Sequence, residues 1–382
     1  MKRVYLDNAA TTPLDKEVIA EMTNVMENFY GNPSAIHALG REVRTLVEKA
    51  RKTVAGLLNA SPSEIFFTSG GTEADNTAIR CGISAYGIKH AITSKIEHHA
   101  VEHTLNMLLK DGVIDKLSFV NINEKGQIDY NHLEELLQHN SRSFVSLMHA
   151  NNELGTLTDM EKVGDICEKY NAIYHADTVQ TMGHYPHDVR NLKAHFIVCA
   201  AHKLHGPKGV GFLYVNSNIK IPPMIYGGAQ ERNMRGGTEN VYGIVGLAKA
   251  LEIAYKEMDE HQAYIQSLKD YLKEQLIAEI PGIAFNGETE ADKSLYTVLN
   301  VSFPEMDMAD MLLFNLDING ICASGGSACS SGSNIGSHVL NGIKADPNRP
   351  SVRFSFSKYT TKEDLDYVLE KVKMVVKQNA LA

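Results

Sequence analysis

No Cys-x-x-Cys pair occurs among the five cysteines of this 382-residue chain. The thiols, at 81, 167, 199, 322 and 329, are odd in number and scattered, which argues against a closed zinc site or a disulfide framework. A reducing, cytoplasmic setting is expected. There is no excess of basic residues. The net charge is −9 and the pI about 6.0, the wrong balance for a chain whose main partner is nucleic acid. No apolar run approaches the roughly 20 residues of a membrane span. The opening "MKRVYLDNAATTP" has no apolar signal core, so secretion is not expected. Internal repeats and a disordered tail are also missing.

What is present is an alternation of strand-like and helical runs. "EIFFTSG" reads as a strand and "TEADNTAIRCGISAYG" as the helix after it. "KHAITSKIEHHA" is a strand and a helix start, and "RSFVSLMHANNELG" a strand entering a loop. "MEKVGDICEKYN" is helical, "AIYHADTVQ" a strand, and "AHFIVCAAHKLHGPKGVGFLYVN" two strands around a tight turn. Such alternation predicts an α/β fold with a mixed, mostly parallel sheet covered by helices. A long helical stretch then runs to about Ala278. Shorter strands follow in "GIAFNG", "SLYTVLNVSF" and "SVRFSFSK", and an amphipathic helix in "TKEDLDYVLEKVKMVVKQ". We expect a large domain over 15–258 and a smaller α+β domain from 1–14 with 259–382. Cys167 in its helix and Cys199 in "HFIVCAA" read as packed thiols.

Three features carry chemistry. Lys203 ends an apolar strand before a Gly-Pro turn, where burial can make an amine nucleophilic. Asp177 also ends an apolar strand, and a buried carboxylate there wants a cation. The protonated ring nitrogen of pyridoxal phosphate is such a cation, and its aldehyde requires a lysine. A phosphate would find backbone amides and a hydroxyl at Gly71 and Thr72, where "FFTSGGTEADN" turns from strand into helix. Each feature alone has an ordinary explanation: a surface lysine, a paired acid, a helix cap. Together they are uncommon.

With these motifs the chain resembles the pyridoxal phosphate-dependent cysteine desulfurases of the NifS/IscS group, in the class V aminotransferase family. The resemblance runs through "YLDNAATTP", "GNPSAIHALG", "TSGGTEADN", "SKIEHHAV", "MHANNELG", "HADTVQ", "HKLHGPKG", "GGAQERNMRGGTEN", "SGGSACSSGS" and "VRFSFSKYTT". It implies the type I fold of pyridoxal phosphate enzymes and a homodimer. By resemblance Lys203 is the Schiff-base lysine, Asp177 the partner of the ring nitrogen, and Gln180 the donor to the ring hydroxyl. His98 stacks over the ring and moves protons. Asn152 sits near cofactor and substrate carboxylate, Gly71, Thr72 and His202 contact the phosphate, and Thr238 reaches it from the other subunit. Arg353 clamps the carboxylate of L-cysteine, a task suited to its two-pronged guanidinium. Ala200 departs from the pattern, since relatives carry a serine there. The lost hydrogen bond is worth on the order of 1 kcal/mol.

Cys329 stands in "ASGGSACSSGSNIGSHVL", residues 323–340, among small residues that neither pack nor staple it. By resemblance it takes the substrate sulfur as a persulfide. It must meet that sulfur in a pocket and then an acceptor outside, which a glycine-serine loop permits. The implied acceptor is an iron–sulfur scaffold protein, with tRNA thiolation as another destination. No metal is expected in catalysis, beyond a transient contact of Cys329 with a partner's cluster. A Cys322–Cys329 disulfide is conceivable only under oxidation. Two enzymatic alternatives share the fold, a selenocysteine lyase and an aminotransferase. A scaffold that has lost its chemistry would not keep the lysine, aspartate, histidine, arginine and cysteine together.

Overall fold

Residues 173–177, Ile-Tyr-His-Ala-Asp, are all buried, the mark of a strand covered on both faces. In the computed structural model, which describes residues 2–140, 142–306, 309–325 and 336–378, this strand is the centre of a seven-stranded sheet. The order is Ile65–Thr68, Gly211–Val215, Phe196–Ala200, Ile173–Asp177, Ser143–Ser146, His90–Thr93, Lys116–Phe119. All run parallel except Gly211–Val215, which is antiparallel to both neighbours.

Side-chain alternation along each strand divides the core into two layers. Phe196 and Val198 face a layer shared with helices Gly71–Ala85 and His99–Lys110. Ile197 and Cys199 face the opposite layer, with helices Lys16–Asn28, Ala38–Leu57, Met160–Lys169 and Val241–Lys256. Cys167 and Cys199 are fully buried there, as expected. In helix Ala38–Leu57 the buried Val43, Val47, Ala50 and Val54 recur at helical spacing.

The helical stretch expected to run unbroken to Ala278 is two helices, Val241–Lys256 and Met258–Glu279, joined at Glu257. The break is where the apolar face changes partner. The first helix packs on the large sheet. The second sends Ile265, Leu268, Leu272 and Leu276 into a separate core. That core includes the antiparallel strands Ala284–Asn286, Val298–Ser302 and Ser351–Ser355 and the helix Lys362–Gln378. The chain's start joins it: Val4–Tyr5 pairs parallel with Ile321–Cys322, and Val4 and Leu6 are buried in it. The segment then crosses to the large sheet, where the Thr12 amide donates to the His202 carbonyl at 2.9 Å. No described helix is long and apolar enough to cross a membrane.

Candidate active site

Polar side chains collect where an open parallel sheet places them, beyond the carboxyl ends of its strands. A cavity of about 200 Å³ opens there. Five strand ends supply its walls. Thr72 follows Ile65–Thr68, His98 follows His90–Thr93, Asn152 follows Ser143–Ser146, and Asp177 closes Ile173–Asp177. Ala200 ends the next strand, and His202 and Lys203 lie on the single turn after it. Gln180, Ala9 and Ala10 complete that side, while Arg353 comes from the smaller core.

The turn into helix Gly71–Ala85 depends on two glycines. Gly70 has φ +147°, a conformation L side chains rarely adopt. A Cβ on Gly71 would stand 2.8 Å from Val179 Cγ2, so the helix start approaches the cavity only without one. Gly71 and Thr72 of this first turn line the cavity, with a helix dipole behind them.

Lys203 donates to the carbonyls of Ala9 and Ala10 at 2.5 and 2.9 Å. Gln180 Nε2 donates to the Ala9 carbonyl at 3.1 Å. His98 caps helix His99–Lys110, its Nδ1 accepting from the Ala100 amide at 3.1 Å. Burial lowers its pKa and Lys203 lowers it further, against the pull of Asp177. Burial, with Lys203 and Lys208 nearby, brings His202 down to about 4. Both imidazoles are neutral near pH 7.

Arg353 is 1% exposed, and two contacts fix its plane. Nη2 donates to Asp7 Oδ1 at 2.8 Å and Nη1 to the Asn152 carbonyl at 2.9 Å. Its Nε is buried without a hydrogen-bond partner among the described residues. A buried donor of this kind calls for an acceptor from the cavity side, which suits the carboxylate of a small substrate. Asp7 was not singled out from the sequence.

Two further acids also escaped sequence reasoning. Asp75 lines the cavity, 1% exposed, and a ligating atom from each of Asp75, His98 and Asp177 lies within 4.8 Å of the other two. Its Oδ1 stands 3.3 Å from His175 Nε2. Burial pushes His175 down to about 3, so that ring is neutral. Glu97, immediately before His98, is 1% exposed and accepts from Ser94 Oγ and the Met148 amide. Burial raises it to about 8 despite those bonds, and Asp177 adds to the shift. Burial also raises Asp75 well above the usual range, with Asp177 and Glu97 adding repulsion. Asp177 too is raised by burial, but His98, the Val179 amide at 2.9 Å and Lys203 pull it back. Of the three acids, Asp177 alone has both an imidazole and an ammonium beside it that favour its ionised form.

Thr238 does not line this cavity. It is exposed at a neighbouring one, with Ser69, Gly209 and Arg235. Cys329 lies outside the described residues. Among the described residues, Cys81, Cys167, Cys199 and Cys322 form no disulfide with one another.

A buried carboxyl group at a strand end, a lysine and a glycine-built helix start around one cavity fit an enzyme of the class-V aminotransferase family. The chain belongs to that family, whose pattern spans residues 4–368. It is 42% identical to the cysteine desulfurase IscS of Dictyoglomus turgidum over 99% of this chain and 96% of that protein. It is 41% identical to the IscS of Methanosarcina thermophila, covering 99% and 93%. Among solved structures, a NifS-like protein superposes with a TM-score of 0.91 at 37% identity, over 99% of this chain and all of the other. A structure titled SspA in complex with cysteine gives 0.80 at 30%, over 94% and 100%. The fold is the type I fold of pyridoxal phosphate enzymes, and pyridoxal phosphate is the cofactor.

The residues present fit that cofactor. Asp177 is a buried carboxyl group that a cationic partner would favour in its ionised form, Lys203 lines the same cavity, and Gly71 carries no side chain where the helix start meets it. Ala200 offers no hydroxyl there.

Proposed function

We propose that this enzyme is a cysteine desulfurase that converts L-cysteine and its own Cys329 thiol into L-alanine and a Cys329 persulfide. The reading rests above all on one arrangement: Lys203, Asp177, His98 and Arg353 line a single cavity. The relatives' names agree with it. Pyridoxal phosphate, when bound, withdraws electrons from the substrate's α- and β-carbons and so weakens the carbon–sulfur bond. The chain's residues supply the rest.

Asp177 would hold the ring nitrogen and favour its protonated form. Lys203 would tether the cofactor, and its amine is the base placed to move a proton at the substrate Cα. Gly71, Thr72 and His202 would hold the phosphate, and Gln180 the ring hydroxyl. Arg353 takes the substrate carboxylate with Asn152 beside it, its plane preset by Asp7. His98 acts through Nε2, because its Nδ1 already accepts the Ala100 amide. As a neutral base it takes the proton that a thiol must lose to become a nucleophile. The Cys329 thiolate attacks the substrate sulfur, the carbon–sulfur bond breaks, and a proton returned to carbon completes alanine. Atoms balance: one thiol enters, one persulfide leaves.

A large body over 15–258 carries the cofactor in this reading, and 1–14 with 259–382 the arginine and the persulfide cysteine. The enzyme acts as a homodimer, in which Thr238 of one copy meets the phosphate of the other. The exposed apolar side chains of Tyr30, Ile36 and Tyr226 support such an interface. The acceptor is an iron–sulfur scaffold protein, and the setting cytoplasmic. Mass spectrometry after cysteine treatment tests the reading: one added sulfur is expected on Cys329, and none in Cys329→Ala. Full alanine production by Cys329→Ala would replace it with a lyase reading, and a sulfur-bearing keto acid in place of alanine with an aminotransferase reading.

A further inference from the structure

His98 faces the cavity; the next residue, His99, faces away into a second cluster. His99, Glu102 and His338 each place a ligating atom within 4.8 Å of the other two. His99 and Glu102 share a face of helix His99–Lys110, one turn apart. His338 arrives from another element, the helix His338–Gly342. Glu102 Oε2 lies 3.4 Å from His99 Nδ1 and 3.9 Å from His338 Nε2. The His99 and His338 rings are 4.3 Å apart at their centroids, and His103, one turn on, stacks on His99 at 4.7 Å. His99 Nδ1 is buried yet has no hydrogen-bond partner among the described residues.

We propose that His99, Glu102 and His338 bind a divalent transition-metal ion that clips helix His99–Lys110 to helix His338–Gly342. Two imidazoles and one carboxylate are the donor set that zinc and ferrous iron accept, and that calcium and magnesium, which prefer oxygen, do not. Tetrahedral bonds of roughly 2.0–2.1 Å put neighbouring ligand atoms about 3.3 Å apart. The His99–Glu102 pair already has that spacing, and small side-chain rotations bring His338 in. That movement exchanges the 2.9 Å hydrogen bond between His338 Nε2 and the Glu97 carbonyl for a metal bond. Three protein ligands leave a coordination position for water. The site is outside the catalytic cavity, and its case does not depend on which reaction that cavity performs. Asp75, His98 and Asp177 are also close together but belong to the cofactor's cavity.

Its position gives the clip a consequence. In sequence it ties the residue after His98 to a segment nine positions beyond Cys329. The test uses the holoenzyme, freed of metal by chelator and titrated calorimetrically with Zn²⁺, with Co²⁺ as a spectroscopic probe of coordination. Wild type is expected to bind one ion per chain and to melt at a higher temperature with it. Glu102→Gln should weaken binding at least tenfold, and His99→Asn with His338→Asn should abolish both uptake and the melting shift. The side chains concerned are partly exposed, and melting without metal checks that both variants fold. No stoichiometric uptake by wild type overturns the proposal. Equal uptake by wild type and both variants also does, since the metal would then sit on thiols or in the catalytic cavity.

Discussion

Glu97→Gln makes a sharp test of the cavity's charge balance. In the folded chain Glu97 titrates near 8 rather than at its ordinary 4.5, with burial the main cause. Between those values the folded protein keeps a proton that the unfolded chain has lost. Stability therefore falls as pH rises through this window, by about 1.4 kcal/mol per pH unit for a single group. Over the two units from about pH 5.5 to 7.5, wild type loses about 2.7 kcal/mol through this acid. Glutamine is nearly the same shape, can still accept from the Met148 amide, and does not titrate. Urea unfolding of cofactor-stripped wild type and Glu97→Gln at both pH values is the assay. The variant should be close to wild type at the lower pH and more stable by about 2–3 kcal/mol at the higher. A difference that does not change with pH would mean that Glu97 ionises normally. Burial beside Asp177 would then not hold a proton on Glu97, and the reasoning would fail.

Three other substitutions probe the cavity. Arg353→Lys keeps the charge but loses the fork, so KM for cysteine should rise about 10- to 100-fold, the equivalent of about 1.5–3 kcal/mol, with the cofactor's visible absorption unchanged. An unaltered KM would remove Arg353 from substrate binding. Ala200→Ser places a hydroxyl beside the helix start, since the Ala200 Cβ is 3.6 Å from where a Gly71 Cβ would lie. Equilibrium dialysis should show cofactor affinity tightened about fivefold, for about 1 kcal/mol. Lys203→Ala should abolish the tethered cofactor's visible band while the protein remains folded by circular dichroism, and a retained band would place the tether elsewhere.

What the sequence made legible follows a physical rule. Asp177 and Lys203 stand out because each ends an apolar run, where a charge has no ordinary reason to be. The large sheet was readable because its strands are buried on both faces and so appear as short continuous apolar runs. Helix Ala38–Leu57 was readable in principle from its valine spacing, yet its many charged residues drew no attention. The break at Glu257 was hidden, because nothing local marks it: the capping residue is a good helix former, and only a change of packing partner separates the two helices.

Asp7, Asp75 and Glu97 were invisible for another reason. In sequence each is an acid in a polar stretch, indistinguishable from a solvated one. Asp75 becomes special only when the sheet sets His175 behind it and Asp177 beside it. Glu97 does so only when the strand Ser143–Ser146 brings the Met148 amide to it. Those tertiary neighbours determine the chemistry. Three carboxyl groups sharing one low-dielectric region repel, and the proton count settles on the arrangement with the fewest unpaired charges. Asp177 alone has a backbone amide, an imidazole and an ammonium to favour its ionised form. The carboxyl group whose ionised form is best supported thus stands at the one place where a protonated ring nitrogen would sit.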